Sequence, residues 1–156
     1  MEKLFELFKG NSSSYIKSTV NGELDDRGKR ITSYTTVHEP VTTKQWQEHL
    51  DGKIRIGFKP EEEGQCMWGC IDVDPSSYKN YSQKKYVDII KNYKLPLVAI
   101  KSKSGGLHIF VFFTEWADVE KVSDKLKKIN DKYFLAQEIF PCNKALNMPY
   151  QNMQSS

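Results

Sequence analysis

The sequence predicts an α+β fold, in which a small N-terminal α/β unit packs on a sheet of βαββαβ order. Three observations predict it. Apolar and polar residues alternate through several short segments, as in strands that are buried on one side. Two other segments repeat apolar residues every three or four positions, as in amphipathic helices. No apolar run approaches the ~18 residues of a membrane span, so a soluble globular domain is expected.

The N-terminal unit is predicted to cover residues 1–64. An amphipathic helix is indicated over residues 1–9, followed by polar, glycine-interrupted residues 15–30 that favour a loop. Strands are predicted over residues 30–38 and 53–59. Between them, Thr42-Thr-Lys-Gln45 resembles a capping box at the start of a short helix.

The second unit is predicted to cover residues 65–150 and to contain the sheet. Its elements are, in order, a strand at 67–74, a helix at 79–93, strands at 97–101 and 107–113, a helix near 119–129 and a strand at 136–140. This order is typical of a ferredoxin-like or RRM-like sheet with both helices on one face. The polar residues 151–156 are expected to fray. The whole of 1–156 is interpreted as one domain.

Composition excludes several classes of protein. Cys66, Cys70 and Cys142 lack the regular spacing of a disulfide framework. The first two lie in a strand-like run, where packing as small apolar residues is favoured over zinc binding. The start of the chain carries acids and no signal-peptide core, so a cytoplasmic location is expected. The net charge of +3 permits a nucleic-acid partner without requiring one.

Four polar residues are predicted to converge on one sheet face. Asp72 and Asp74 lie two positions apart at the end of a strand, so their side chains share a face. The same alternation directs His108 and Glu138 to that face. Paired carboxylates can hold hard divalent cations such as Mg²⁺. Each residue alone has an ordinary structural explanation, such as a turn former or a solvated glutamate, so the prediction depends on their convergence.

A glycine-containing turn is predicted just before His108. In Ser102-Lys-Ser-Gly-Gly106 the glycines allow backbone N–H groups to approach an anion. Ser104 can donate a hydroxyl hydrogen bond, and Lys101 and Lys103 supply positive charge. The alternative is a simple hairpin turn, and the histidine that follows on the carboxylate face favours phosphate binding.

At these motifs the sequence resembles the catalytic core of the archaeo-eukaryotic primase superfamily, the primase-polymerases, in its phage and mobile-element form. The three motifs of that family appear in order as Asp72-Val-Asp74, Ser104-Gly-Gly-Leu-His108 and Glu138-Ile-Phe-Pro141. Segments at 49–60 and 146–150 resemble the elements that flank these motifs. The resemblance covers roughly residues 49–150.

The resemblance implies a template-dependent DNA primase or polymerase that transfers nucleotides to a 3′-hydroxyl. It implies that Asp72, Asp74 and Glu138 bind two Mg²⁺ or Mn²⁺ ions and that His108 is catalytic. The implied partners are a DNA template and primer and an NTP or dNTP. It further implies a monomer without membrane contact, which takes part in DNA replication in a bacterial or phage-infected cell.

By the same resemblance, Ser104 and His108 contact the phosphates of the incoming nucleotide. Lys101 and Lys103 contact phosphate or template. Two features depart from the family pattern. Residues 142–145 form a shorter connection than relatives tend to carry, and the chain ends soon after Tyr150, where relatives often continue into a helical domain or a helicase. A helicase domain or protein is therefore an implied partner.

Two other functions fit the same residues. A non-catalytic, RRM-like module that binds single-stranded nucleic acid predicts exposed Phe110 and Phe112 for base stacking, and a Glu138 remote from Asp72. Packing of the two phenylalanines under the N-terminal unit is favoured instead. The third possibility is a metal-dependent nucleotidyltransferase or nuclease of another type.

Overall fold

The computed structural model describes residues 1–26, 28, 30–77, 81–103 and 105–152. The helices in this part of the chain are α1 (Glu2–Leu7), α2 (Thr43–Leu50), α3 (Gln83–Asn92) and α4 (Val119–Ile129). The strands are β1 (Tyr15–Leu24), β2 (Arg30–Val37), β3 (Arg55–Phe58), β4 (Gln65–Val73), β5 (Val98–Lys101), β6 (Leu107–Asp118), β7 (Glu138–Phe140) and β8 (Leu146–Asn147).

The second half of the chain forms the predicted βαββαβ unit. Its sheet has the order β5-β6-β4-β7, with every neighbouring pair antiparallel. Helices α3 and α4 cover one face, where Tyr86 and Leu126 pack in one core cluster with Ile71 and Ile109. The α+β prediction is therefore confirmed, and the opposite face of the sheet is left for the N-terminal unit.

Strand β6 is longer than predicted. The expected strand stops at Phe113, whereas β6 continues to Asp118. A bulge in β4 between Cys66 and Trp68 shifts the pairing, so that Cys66 lies opposite Ala117. The continuation was missed because polar and aromatic residues interrupt the alternating pattern there, while pairing with β4 supplies the hydrogen bonds.

The N-terminal unit contains a strand that the sequence did not predict. Residues 15–24, expected to form a loop, are strand β1, and the loop prediction is wrong. In the sheet order β2-β1-β3-β8, β1 pairs on both sides, with Tyr15 opposite Val37 and Ile16 opposite Gly57. The backbone N–H and C=O groups of a central strand bond to both neighbouring strands. Strand β1 can therefore form with polar side chains that lack the apolar alternation by which strands are predicted.

The C-terminal segment returns to the N-terminal sheet. Strand β8 pairs with β3, and Leu146 and Met148 are buried. The buried imidazole of His49 fixes the same segment: its Nε2 lies 2.8 Å from the Pro149 carbonyl oxygen, and its Nδ1 accepts from the Ile56 N–H at 3.2 Å. Burial lowers the pKa of His49, which suits an imidazole that accepts a hydrogen bond. The two units are thus tied together by the end of the chain.

An aromatic core lies between the two sheets. Phe8 packs at ring-centroid distances of 5.7 Å from Trp46, 5.7 Å from Trp68 and 5.3 Å from Phe110. Phe110 is fully buried, and Phe112 packs 5.2 Å from Phe8. The expectation that both phenylalanines pack under the N-terminal unit is confirmed, with Phe110 fully buried and Phe112 half-buried, which counts against the RRM-like alternative.

The cysteines of β4 lie in the core. Cys66 and Cys70 are fully buried, as expected for small apolar residues, and burial raises the pKa of both thiols. In the described ranges of the chain, none of the helices has the length and apolar character needed to cross a membrane.

Candidate active site

The sheet face opposite α3 and α4 carries a row of two carboxylates and one imidazole, termed the carboxylate row. Asp72 on β4 stands directly opposite His108 on β6 and directly opposite Glu138 on β7. Directly opposed residues point to the same face of a sheet, with Cβ atoms about 4.5–5.5 Å apart. The structure thus brings together residues that are 30 to 66 positions apart in the sequence.

Asp72, the middle residue of this row, has a strongly raised pKa. Its side chain is 26% exposed, and burial, the Glu138 carboxylate and the Asp74 carboxylate together raise its pKa to about 6. Like charges raise the pKa of a carboxyl only when they are close. Glu138 stands directly opposite Asp72 and Asp74 follows two residues later, so three carboxyl groups share this end of the sheet.

His108 is a neutral neighbour of Asp72. Its Nε2 lies 3.4 Å from Asp72 Oδ1, a distance compatible with an ion pair. Burial, however, lowers the pKa of His108 to about 4, so the imidazole is uncharged at neutral pH. The contact is therefore a polar one between a neutral ring and a carboxylate.

Asp74 currently has the role of a turn former. Its Oδ1 accepts hydrogen bonds from the Ser76 N–H at 3.0 Å and the Ser76 hydroxyl at 2.9 Å, which lower its pKa. The turn leads into a short 3-10 helix, Pro75–Ser77. Asp74 is exposed, and its effect on the pKa of Asp72 places its charge beside the row.

Glu138 is paired with a lysine of the following loop. Lys144 Nζ lies 2.8 Å from Glu138 Oε1. In these side-chain positions, the described residues do not gather three or more His, Cys, Asp or Glu ligands around one point. In these positions Asp74 accepts hydrogen bonds from Ser76, and Glu138 pairs with Lys144.

The residues nevertheless fit a hard divalent cation by their chemistry. Mg²⁺ and Mn²⁺ favour carboxylate oxygens, and the three carboxylates supply them from one face. Burial, and after it the charges of Glu138 and Asp74, raise the pKa of Asp72, and a bound cation would offset both effects. The site therefore fits such a cation because its three carboxylates supply both negative charge and oxygen ligands.

The glycine turn lies directly against the end of β4. A Cβ on Gly106 would come within 2.3 Å of the Val73 carbonyl oxygen, so only glycine allows this approach. Within the turn, the Ser102 N–H donates to the Gly106 carbonyl at 2.9 Å, and Gly105 has a φ of +87°. The turn is therefore held next to Asp72 and Asp74.

The three other residues predicted to contact phosphate or template lie in different surroundings. Ser104 lies outside the described residues. Lys103 is exposed in the turn. Lys101 stands opposite Leu107, whose side chain is in the helix-side core, so Lys101 begins on the face away from His108. The structure does not bring Lys101 to the carboxylate row.

Sequence reasoning missed two residues of the site. Gln83, the first residue of α3, donates from Nε2 to the Gly105 carbonyl at 2.9 Å and lies 3.4 Å from the Gly106 carbonyl. Lys144 pairs with Glu138. Nothing local marks either residue, because each reaches the site from outside the strands that carry the motifs.

The fold and the carboxylate row agree with the class that the sequence motifs resemble, the archaeo-eukaryotic primases. A family model confirms that class: the archaeo-eukaryotic primase domain of the TOTE conflict system matches residues 4–142. The chain therefore belongs to this family. The match includes the N-terminal unit, whereas the motifs had tied the chain to the family only from residue 49. A comparison with curated proteins gave no match.

Proposed function

We propose that this chain is the catalytic core of a template-dependent DNA primase-polymerase, which transfers nucleotides from NTP or dNTP to a 3′-hydroxyl. The observation that carries the proposal is the row of Asp72, His108 and Glu138 across three adjacent strands, in a chain of this family. Membership of the family supports nucleotidyl transfer as the reaction type.

Asp72, Asp74 and Glu138 are the proposed ligands of two Mg²⁺ or Mn²⁺ ions. When bound, such ions activate the attacking hydroxyl and stabilise the pyrophosphate leaving group. For this to occur, Asp72 has to be ionised, and its pKa of about 6 allows this at neutral pH. The Asp74 and Glu138 carboxylates have to exchange their present Ser76 and Lys144 partners for the ions.

The glycine turn and His108 are the proposed contacts for the nucleotide phosphates. A neutral imidazole presents one N–H donor and does not compete with the ions for charge, which suits a phosphate oxygen beside a metal site. Backbone N–H groups of the turn are further donors. Ser104 and Lys103 remain proposed phosphate or template contacts, whereas Lys101, which begins on the face away from His108, is not proposed as one.

Primer synthesis and primer extension test the proposal. The full chain is assayed with Mg²⁺ or Mn²⁺ and labelled NTP or dNTP on a DNA template. Asp72→Ala combined with Asp74→Ala is expected to reduce incorporation at least about 100-fold, because these carboxylates would anchor the ions. Asp124→Ala on the exposed side of α4 is the matched control. Full activity of the double variant would refute the metal assignment.

The assay also separates the other functions. Metal-independent RNA binding without incorporation would favour the RRM-like module, although the buried Phe110 and the contact between the Asp72 and Glu138 positions count against it. Shortening of labelled strands would indicate a nuclease. A DNA template and primer, a helicase partner and a cytoplasmic location are proposed with the main function.

A further inference from the structure

The loop between β7 and β8 places a positive charge on the proposed metal site. The ammonium group of Lys144 lies 2.8 Å from Glu138 Oε1, and Glu138 stands directly opposite Asp72. The lysine was not part of any motif in the sequence. Its contact with a proposed metal ligand therefore requires an explanation of its own.

The backbone of this loop is held at both ends. Phe140 precedes it and Leu146 follows it, and both side chains are buried in the core between the sheets. Only the five residues 141–145 connect them. The Cα atom of Lys144 is thus restrained near the site, so the lysine is kept within reach of Glu138.

The side chain of Lys144, in contrast, can leave without movement of the loop. It is 68% exposed, and the Glu138 side chain is 42% exposed. An exposed ion pair of this kind is weak because water screens both charges, and a lysine stem has several rotatable bonds. Lys144 can therefore pair with Glu138 readily and can also be replaced there by another cation.

The three carboxylates have different partners. Asp74 accepts from Ser76, and Asp72 contacts the imidazole of His108. Among the described ion pairs of these carboxylates, the Lys144 pair is the one with a permanently charged cation. Lys144 therefore balances negative charge at the position where a divalent cation would do so.

We propose that Lys144 is an internal counter-ion of the site, which occupies a Glu138 oxygen until a divalent cation displaces it. Binding of the cation and release of the ammonium are then coupled, and Lys144 raises the metal concentration at which the site fills. This inference rests on the proposed metal site. It assigns to Lys144 a role in metal occupancy.

Titration of the full chain with Mn²⁺, followed by calorimetry and by the EPR signal of unbound Mn²⁺ at fixed ionic strength, tests the inference. Lys144→Met keeps the length of the stem and removes the charge. We expect its Mn²⁺ dissociation constant to be about two- to fivefold lower than that of the wild type, the range that corresponds to an exposed ion pair.

Lys84→Met is the matched control. Lys84 also pairs with a carboxylate that is 42% exposed, Asp88, but on α3 and outside the carboxylate row. The two variants change the net charge equally, so a general charge effect would lower both dissociation constants. Lys144→Arg retains the charge and is expected to bind Mn²⁺ no more tightly than the wild type.

The outcomes distinguish this inference from the proposed function. If Lys144→Met and Lys84→Met bind Mn²⁺ equally, while Asp72→Asn abolishes binding, the counter-ion role is wrong and the metal site stands. If neither the wild type nor Lys144→Met binds Mn²⁺, both the counter-ion role and the metal site are wrong. Tighter binding by Lys144→Met alone supports the counter-ion role.

Discussion

At the scale of single residues, Asp72 carries a free-energy penalty that its proposed function explains. Its pKa is about 6 in the fold, against an ordinary value of 3.8, so the folded state binds the proton more tightly than the unfolded state. The contribution of Asp72 to stability therefore falls as the pH rises from about 4 to about 6. At neutral pH the ionised carboxylate destabilises the fold.

Replacement of this carboxylate is expected to stabilise the protein. Asp72→Asn should raise the free energy of unfolding at pH 7 by about 1–3 kcal/mol, since the amide cannot ionise beside Glu138 and Asp74. Urea unfolding at pH 7 and pH 4 measures this, and the gain should shrink at pH 4. Asp124→Asn is the control. A variant less stable than the wild type at pH 7 would contradict the prediction.

Side-chain parity placed Asp72, His108 and Glu138 on one face from the sequence, because alternation along a strand is a local property. The contacts of Gln83 and Lys144 could not be predicted. Both reach the site from outside its strands, and their positions depend on how a helix start and a loop pack.

At the scale of elements, the glycine turn and the end of β4 form one unit. Gly106 is in contact with the backbone of Val73, and the Gln83 side chain is bonded to the carbonyls of the turn. The turn thus follows β4 and α3 rather than moving independently. The close approach of the Gly106 and Val73 backbones sets the distance between the turn and the carboxylates at the end of β4.

A methyl group at position 106 tests this arrangement. Gly106→Ala is expected to cost about 1–3 kcal/mol, because its Cβ would meet the Val73 carbonyl oxygen and displace the turn. Nucleotide affinity should fall about tenfold or more, since the displaced turn no longer presents its N–H groups beside Asp72. Thermal unfolding and dNTP calorimetry in Mn²⁺ measure the two effects.

Gly105→Ala is the comparison. Gly105 has a positive φ but open space around its Cα, so alanine there costs about 1 kcal/mol of backbone strain without a collision. Equal losses of nucleotide affinity in the two variants would show that contact with Val73 does not position the turn.

At the scale of the whole molecule, the two sheets share one core. Phe8 directly follows α1 and touches Trp46 of α2 and Trp68 of β4. The His49 contact with Pro149 adds a polar tie between distant parts of the chain. The protein is therefore expected to unfold as one cooperative unit rather than as two.

Truncation of Phe8 tests this cooperativity. Phe8→Ala is expected to destabilise the protein by about 3–5 kcal/mol, because a ring that is 1% exposed leaves a cavity between the sheets. Tryptophan fluorescence and circular dichroism should still report a single urea transition. Leu7→Ala, at a neighbouring residue that is 41% exposed, should change stability by less than about 1 kcal/mol. Two separate transitions would contradict a shared core.

Periodicity and motif spacing are local properties of the chain, and they were enough to predict the βαββαβ order, the face on which Asp72, His108 and Glu138 lie, and the family. The central position of the strand at residues 15–24 and the return of β8 to the first sheet follow from the folded arrangement. This arrangement also decided that Gln83 and Lys144 reach the site. These features depend on backbone hydrogen bonds and packing between segments remote in sequence, for which neither polarity nor periodicity within a segment provides a signal.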